Sequence, residues 1–121
     1  MRLKVYVAGP ITNDDEELVK QNIYNGVDMG EKLFKMGFNA FVPFLSYWWN
    51  ERYPHTWEEW LEDDFEWLHI CDAMLVIPGP SKGREAEEKY AATHNIPVFY
   101  SIKDLEEWGK NKGLEPLNTN R

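Results

Sequence analysis

Apolar and polar positions change their period along the chain, and each change marks an element. Leu3 to Val7 is β-branched, alternates weakly and stops at Ala8-Gly9-Pro10, the pattern of a buried strand entering a turn. Thr12-Asn13-Asp14-Asp15 then supplies N-cap candidates, with Glu16 and Glu17 suited to a helix's first turn. Val19, Ile23, Val27 and Phe34 recur at helical spacing, and Gly37 stands where a C-cap glycine ends a helix. A second strand is expected over Phe38 to Val42, closed by Pro43. Phe44 to Pro54 reads as an aromatic loop. Thr56-Trp57-Glu58-Glu59 has the form of a capped helix start, and the helix runs to about Ile70. Ala73 to Ile77 is almost continuously apolar, as a strand buried on both faces must be. A turn over Pro78 to Gly83 leads into a helix from Arg84 to about His94. A fourth strand spans Pro97 to Tyr100, and a short helix from Asp104 to about Lys110 precedes a polar tail.

Strands that alternate with helices imply right-handed crossovers and a parallel sheet covered on both sides. The expected fold is therefore α/β, a single flavodoxin-like or Rossmann-like domain over residues 1–121. Its parallel sheet would have four to five strands flanked by helices. In such sheets ligands lie outside the carboxyl ends of the strands, at the point where the strand order reverses. Three loops matter on that ground: Gly9 to Thr12, Pro43 to Trp49 and Pro78 to Gly83.

Composition narrows the classes. A chain of 121 residues, 43% hydrophobic and 15% aromatic, can bury one domain's core without cross-links. Lys and Arg number 13 against 21 Asp and Glu, a formal net charge of −8. That balance argues against polymeric nucleic acid or an anionic membrane as partner. A small anionic ligand remains open, because a few local donors hold one phosphate. Cys71 is the single cysteine, so no intramolecular disulfide forms. No apolar run is long enough for a transmembrane helix, and Met1-Arg2-Leu3-Lys4 lacks a signal-peptide pattern, so a cytoplasmic protein is expected. His55, His69 and His94 show no metal-ligand spacing, and neither metal nor organic cofactor is expected.

Two carboxylates stand where apolar residues belong. Trp57, Trp60, Leu61, Trp67, Leu68 and Cys71 form one helical stripe, and Asp64 falls in its middle while Asp63 points away. A buried carboxylate either finds a partner or shifts its pKa. Asp64 therefore opens on a ligand cleft or caps backbone amides. On the next helix Ala86, Tyr90 and Ala91 mark an inward face, and Glu87 lies between them while Glu85, Glu88 and Lys89 point outward. Near a helix N-terminus Glu87 would be held ionised by the dipole, as a nucleophile or simply as a favourable helix-start charge. Ser81-Lys82-Gly83 in front of it has the makings of an anion cradle, or of any short strand-to-helix turn. The aromatics Phe44, Tyr47, Trp48, Trp49 and Tyr53 serve a planar base, a satellite hydrophobic cluster or an oligomer interface.

Three segments together resemble the nucleoside 2-deoxyribosyltransferase superfamily, including its 2'-deoxynucleoside 5'-phosphate N-hydrolase branch. They are Val5-Tyr6-Val7-Ala8-Gly9-Pro10-Ile11, Asp64-Phe65-Glu66-Trp67-Leu68 with Asp72, and Ser81-Lys82-Gly83-Arg84-Glu85-Ala86-Glu87. The likeness spans roughly Val5 to Phe99. It implies that Glu87 is the nucleophile at the anomeric carbon, that Asp64 assists the leaving base or orients the sugar, and that Tyr6 hydrogen-bonds the nucleophile. Gly9, Pro10, Ile11, Ser81, Gly83 and Trp48 would touch substrate. The implied activity is cleavage or transfer at the N-glycosidic bond of a 2'-deoxynucleoside or its 5'-monophosphate. Ser81, where members acting on free nucleosides often carry Asp, leans towards the monophosphate. Pro10 and Thr12, where the phosphate branch tends to carry Ser and Arg, lean the other way. The family builds sites across subunits, which implies a homo-oligomer and puts Asn118 within reach of a neighbour's pocket. The alternative is a non-catalytic module that binds or senses a nucleotide in the same cleft.

Overall fold

Strand β1 (Lys4–Ala8) is followed by helix α1 (Glu16–Met36), strand β2 (Asn39–Phe41), a 3-10 turn (Pro43–Leu45) and helix α2 (Ser46–Arg52). Helix α3 (Trp57–His69), strand β3 (Ala73–Val76), helix α4 (Lys82–Thr93), strand β4 (Val98–Phe99) and helix α5 (Ile102–Asn111) complete the order. These elements come from a computed structural model, which describes residues 1–117. The expectation for Asn118 lies outside the described residues. The four strands form one parallel sheet in the order β2-β1-β3-β4. The α/β class with helices on both sides of a parallel sheet is thus observed, in the flavodoxin-like order. The order reverses between β1 and β3, so the crevice opens beyond Ala8 and Val76.

Local chemistry sets the boundaries. Asp15 caps α1 by accepting from the Glu17 N–H at 2.9 Å. Gly37 ends α1 at φ 103°, a conformation open to glycine at little cost. Thr56 and Glu59 form a reciprocal capping box at α3, each side chain accepting from the other's backbone N–H at 3.1 and 2.9 Å. Ser81 and Ser101 cap α4 and α5 with their side chains alone, accepting from the Arg84 and Asp104 N–H groups. At the opposite edge of the sheet from the crevice, the Lys4 N–H donates to Asp72 Oδ2 at 2.7 Å, tying the start of β1 to the start of β3.

Strand alternation divides the interior. Val5, Val7, Ala73 and Leu75 face α1 and α5 with Val19, Ile23, Leu33, Phe38, Phe44 and Leu105. Tyr6, Ala8, Met74 and Val76 face α3 and α4 with Leu68, Cys71, Ala91 and Ile96. All four residues of β3 are buried, as its unbroken apolar run requires.

Away from the crevice, three departures from the sequence expectation stand out. The buried side of α1 runs through Val19, Ile23, Gly26, Gly30 and Leu33, whereas Val27 and Phe34 face outward. Periodicity misses this because glycines carry no hydrophobic signal. An added Cβ on Gly26 would sit 2.5 Å from the Phe44 ring, so close approach excludes a side chain there. The aromatic stretch expected as a loop is a 3-10 turn and a seven-residue helix, held by the Ser46 hydroxyl on the Pro43 carbonyl at 2.7 Å. Glu88, expected outside, is half-buried and accepts from Arg84 Nη1 at 3.0 Å and from the Tyr100 hydroxyl. Among the described residues no helix is long and apolar enough to cross a membrane.

Candidate functional site

A four-residue offset on two helices builds the site. Leu68 anchors α3 on the sheet and Ala91 anchors α4, both with no exposed surface. Asp64 stands one turn before Leu68, and Glu87 one turn before Ala91. Crossover helices run antiparallel to the strands, so one turn back from each anchor lies towards the crevice. Tyr6 is on the same face of β1 as both anchors. Its hydroxyl is sealed from solvent and has no hydrogen-bond partner at standard geometry. Asp64 and Glu87 line one cavity of about 780 Å³, within the range that takes a small organic ligand.

Burial governs the charge state. It pushes the Glu87 carboxyl up to about 8, with repulsion from Asp64 and Glu88 adding to the rise. Burial likewise pushes Asp64 up to about 7, with Asp63 adding to it. The Tyr6 hydroxyl lies close enough to pull both values back down, although it meets hydrogen-bond limits with neither. Tyr6 in turn is driven well above its ordinary value by burial and by the two carboxylates. Burial therefore opposes the helix dipole that was expected to keep Glu87 ionised. Glu87 is the sixth residue of α4 and only 6% exposed. The dipole's influence fades within the first turn, and desolvation takes over. With both values raised, the pair gives up its protons above the ordinary carboxylate range, and the singly protonated state is shared between the two carboxyls. That state offers one carboxylate and one acid side by side, and can attack an electrophilic centre while protonating a leaving group.

The remaining residues named from sequence divide. Gly9, Ile11, Ser81 and Gly83 line the cavity. A Cβ on Gly83 would come into van der Waals contact with Ser81 Oγ at 3.8 Å and Glu87 Oε1 at 3.9 Å. The Ser81 oxygen accepts from the Arg84 N–H at 3.1 Å, which leaves its hydroxyl proton free for a ligand. Pro10 and Trp48 are not on the wall. Pro10 packs over the turn at Gly79, and Trp48 is half-exposed with its edge against Tyr47. Tyr6 lies beneath the cavity rather than on it. Asp72 serves the far edge of the sheet, as described.

Several wall residues escaped the sequence reading. Trp57, Trp60 and Leu61 were expected as core, yet they line the cavity, and Trp57 is half-exposed. Trp67 also departs from the expected buried stripe, stacking on Phe41 at 4.8 Å from the surface. Asn50 and Glu58 were not singled out either, whereas Tyr47 from the aromatic stretch and Lys82 from the expected anion cradle do line the cavity. The one advance signal for Asn50 is a lone amide set among aromatics. Cys71 is a small core residue: its thiol donates to the Trp67 carbonyl at 3.3 Å, and burial raises it to about 11. Among the described residues no three His, Cys, Asp or Glu side chains converge as a metal site. No family model and no curated protein matches the chain.

Proposed function

We propose that the protein cleaves or exchanges the N-glycosidic bond of a 2'-deoxynucleoside or its 5'-monophosphate. One observation carries the reading: a buried Glu87 carboxyl and a half-buried Asp64 carboxyl from different helices share a ligand-sized cavity above the sealed Tyr6 hydroxyl. The likeness of the Tyr6, Asp64 and Glu87 segments to the nucleoside 2-deoxyribosyltransferase superfamily supports it. In this chemistry the Glu87 carboxylate attacks the anomeric carbon as the bond to the base breaks. The Asp64 carboxyl gives its proton to the departing nitrogen. Water or a second base then attacks the same carbon, frees Glu87 and returns a proton to Asp64. Positive charge developing on the sugar favours the proton's residence on Asp64, away from the attacking oxygen. Ser81 and Lys82, at the start of α4, suit a 5'-hydroxyl or phosphate. The apolar residues Tyr24, Val27 and Phe34, exposed along α1, are consistent with a homo-oligomer.

The test is chromatographic detection of free base from a panel of deoxynucleosides and their monophosphates, with and without an acceptor base. Base release that Glu87→Ala abolishes is the expected result. Release unchanged in Glu87→Ala, or none from any substrate, overturns the proposal. One observation favours the second reading, a binding or sensing module: a protonated Glu87 is a poor nucleophile. That reading predicts nucleotide-induced thermal stabilisation with no product.

A further inference from the structure

Asn50 has its oxygen fully used. Asn50 Oδ1 accepts from the Trp60 indole Nε1 at 2.6 Å and from the His55 backbone N–H at 2.8 Å. Both partners are donors only, so the atom that faces them must be the oxygen, and the orientation of the amide is settled. Asn50 lines the cavity, and its Nδ2 amide group is the polar end left free for a ligand. No described residue accepts a hydrogen bond from it. Beside it stands a fixed aromatic wall. Trp60 is held edge-on by Trp49 at 5.5 Å and by His55 at 5.4 Å, and its indole N–H is anchored on Asn50. A planar ring lying on such a wall is read at its rim by whatever polar atom is fixed there. An unpaired donor in a partly buried site rewards an acceptor and penalises another donor.

We infer that Asn50 sets base specificity: its amine donates to an exocyclic carbonyl oxygen of the leaving base, so oxo bases are preferred over their amino counterparts. This rests on the glycosidic-bond reading above. Asn50→Asp is the sharp probe, because it keeps the oxygen that holds Trp60 and His55 and turns the donor into an acceptor. The assay compares kcat/KM for paired deoxynucleosides of hypoxanthine and adenine, and of uracil and cytosine. The wild-type protein should favour the oxo member by about tenfold or more, and Asn50→Asp should shift that ratio towards the amino member by at least about tenfold. A folded Asn50→Asp protein with an unchanged ratio overturns the inference. A wild-type protein that treats oxo and amino members alike overturns it without any variant. Binding of the same nucleosides, read by tryptophan fluorescence, separates the two claims. An oxo preference in binding with no base release overturns the glycosidic reading and leaves the role of Asn50 standing. Base release with an unmoved ratio sinks the role of Asn50 alone.

Discussion

The two faces of the sheet are made by alternate residues of the same strands, yet they serve different ends. The face under α1 and α5 is hydrocarbon throughout, with Val5, Val7, Leu33, Leu75 and Leu105 sealed from solvent. The face under α3 and α4 holds an equally sealed tyrosine with an unpaired hydroxyl and, at its crevice end, two carboxyls with raised pKa values. One face gains stability from burial. The other spends some of it on groups that would sit more comfortably in water. Substitutions on the two faces should therefore move different observables.

The largest effect is expected at Glu87. Glu87→Ala should lower base release by about a thousandfold or more while the protein still folds, as read by product chromatography beside circular dichroism. Across the sheet, Leu33→Ala should cost about 3 kcal/mol in denaturant unfolding, since Leu33 is fully buried and cannot be replaced by water. Activity per folded molecule should stay close to normal, which is the contrast between the faces in its plainest form.

A third prediction concerns pH. Both folded-state pKa values are raised, so the unfolded chain gives up these protons earlier than the folded one. The associated stability is fully present below the ordinary carboxylate range. It is lost as pH rises through about 7 for Asp64 and about 8 for Glu87. Glu87→Gln should remove much of that loss, a relative gain of roughly 3 kcal/mol between about pH 5 and pH 9. Parallel pH profiles for the variant and the parent would contradict it. Base release should itself follow a bell-shaped pH profile whose limbs lie above the ordinary carboxylate range, because both carboxyl values are raised. The smallest effect belongs to Tyr6→Phe. Removing the sealed hydroxyl, which meets hydrogen-bond limits with neither carboxyl yet lies close to both, should change stability by no more than about 1 kcal/mol. Because Tyr6 pulls both carboxyl values down, the pH optimum should move upward in this variant.

Much of this contrast is legible along the chain, and the missing parts have specific causes. Asp64 in an apolar stripe and Glu87 on an inward face are visible anomalies, because a helix's period assigns each side chain a direction. Val27 and Phe34 mislead for the same reason: they satisfy the period, while the real contact runs through Gly26 and Gly30, which carry no hydropathy. The helix over Ser46–Arg52 is hidden because aromatics crowd all its sides and leave no stripe. Trp57 and Trp60 look like core because hydropathy does not distinguish a core from a cavity wall.

The chain alone determined the α/β alternation, the helix caps at Asp15, Thr56 and Gly37, and the two misplaced acids, since each depends on neighbours within a few residues. The tertiary structure alone decided that Tyr6, Asp64 and Glu87 gather at one crevice, that burial opposes the helix dipole at Glu87, and that Asn50 Oδ1 is taken up by Trp60 and the His55 backbone. Those outcomes depend on which atoms exclude water and which donors lie opposite, and both are properties of packing between distant segments.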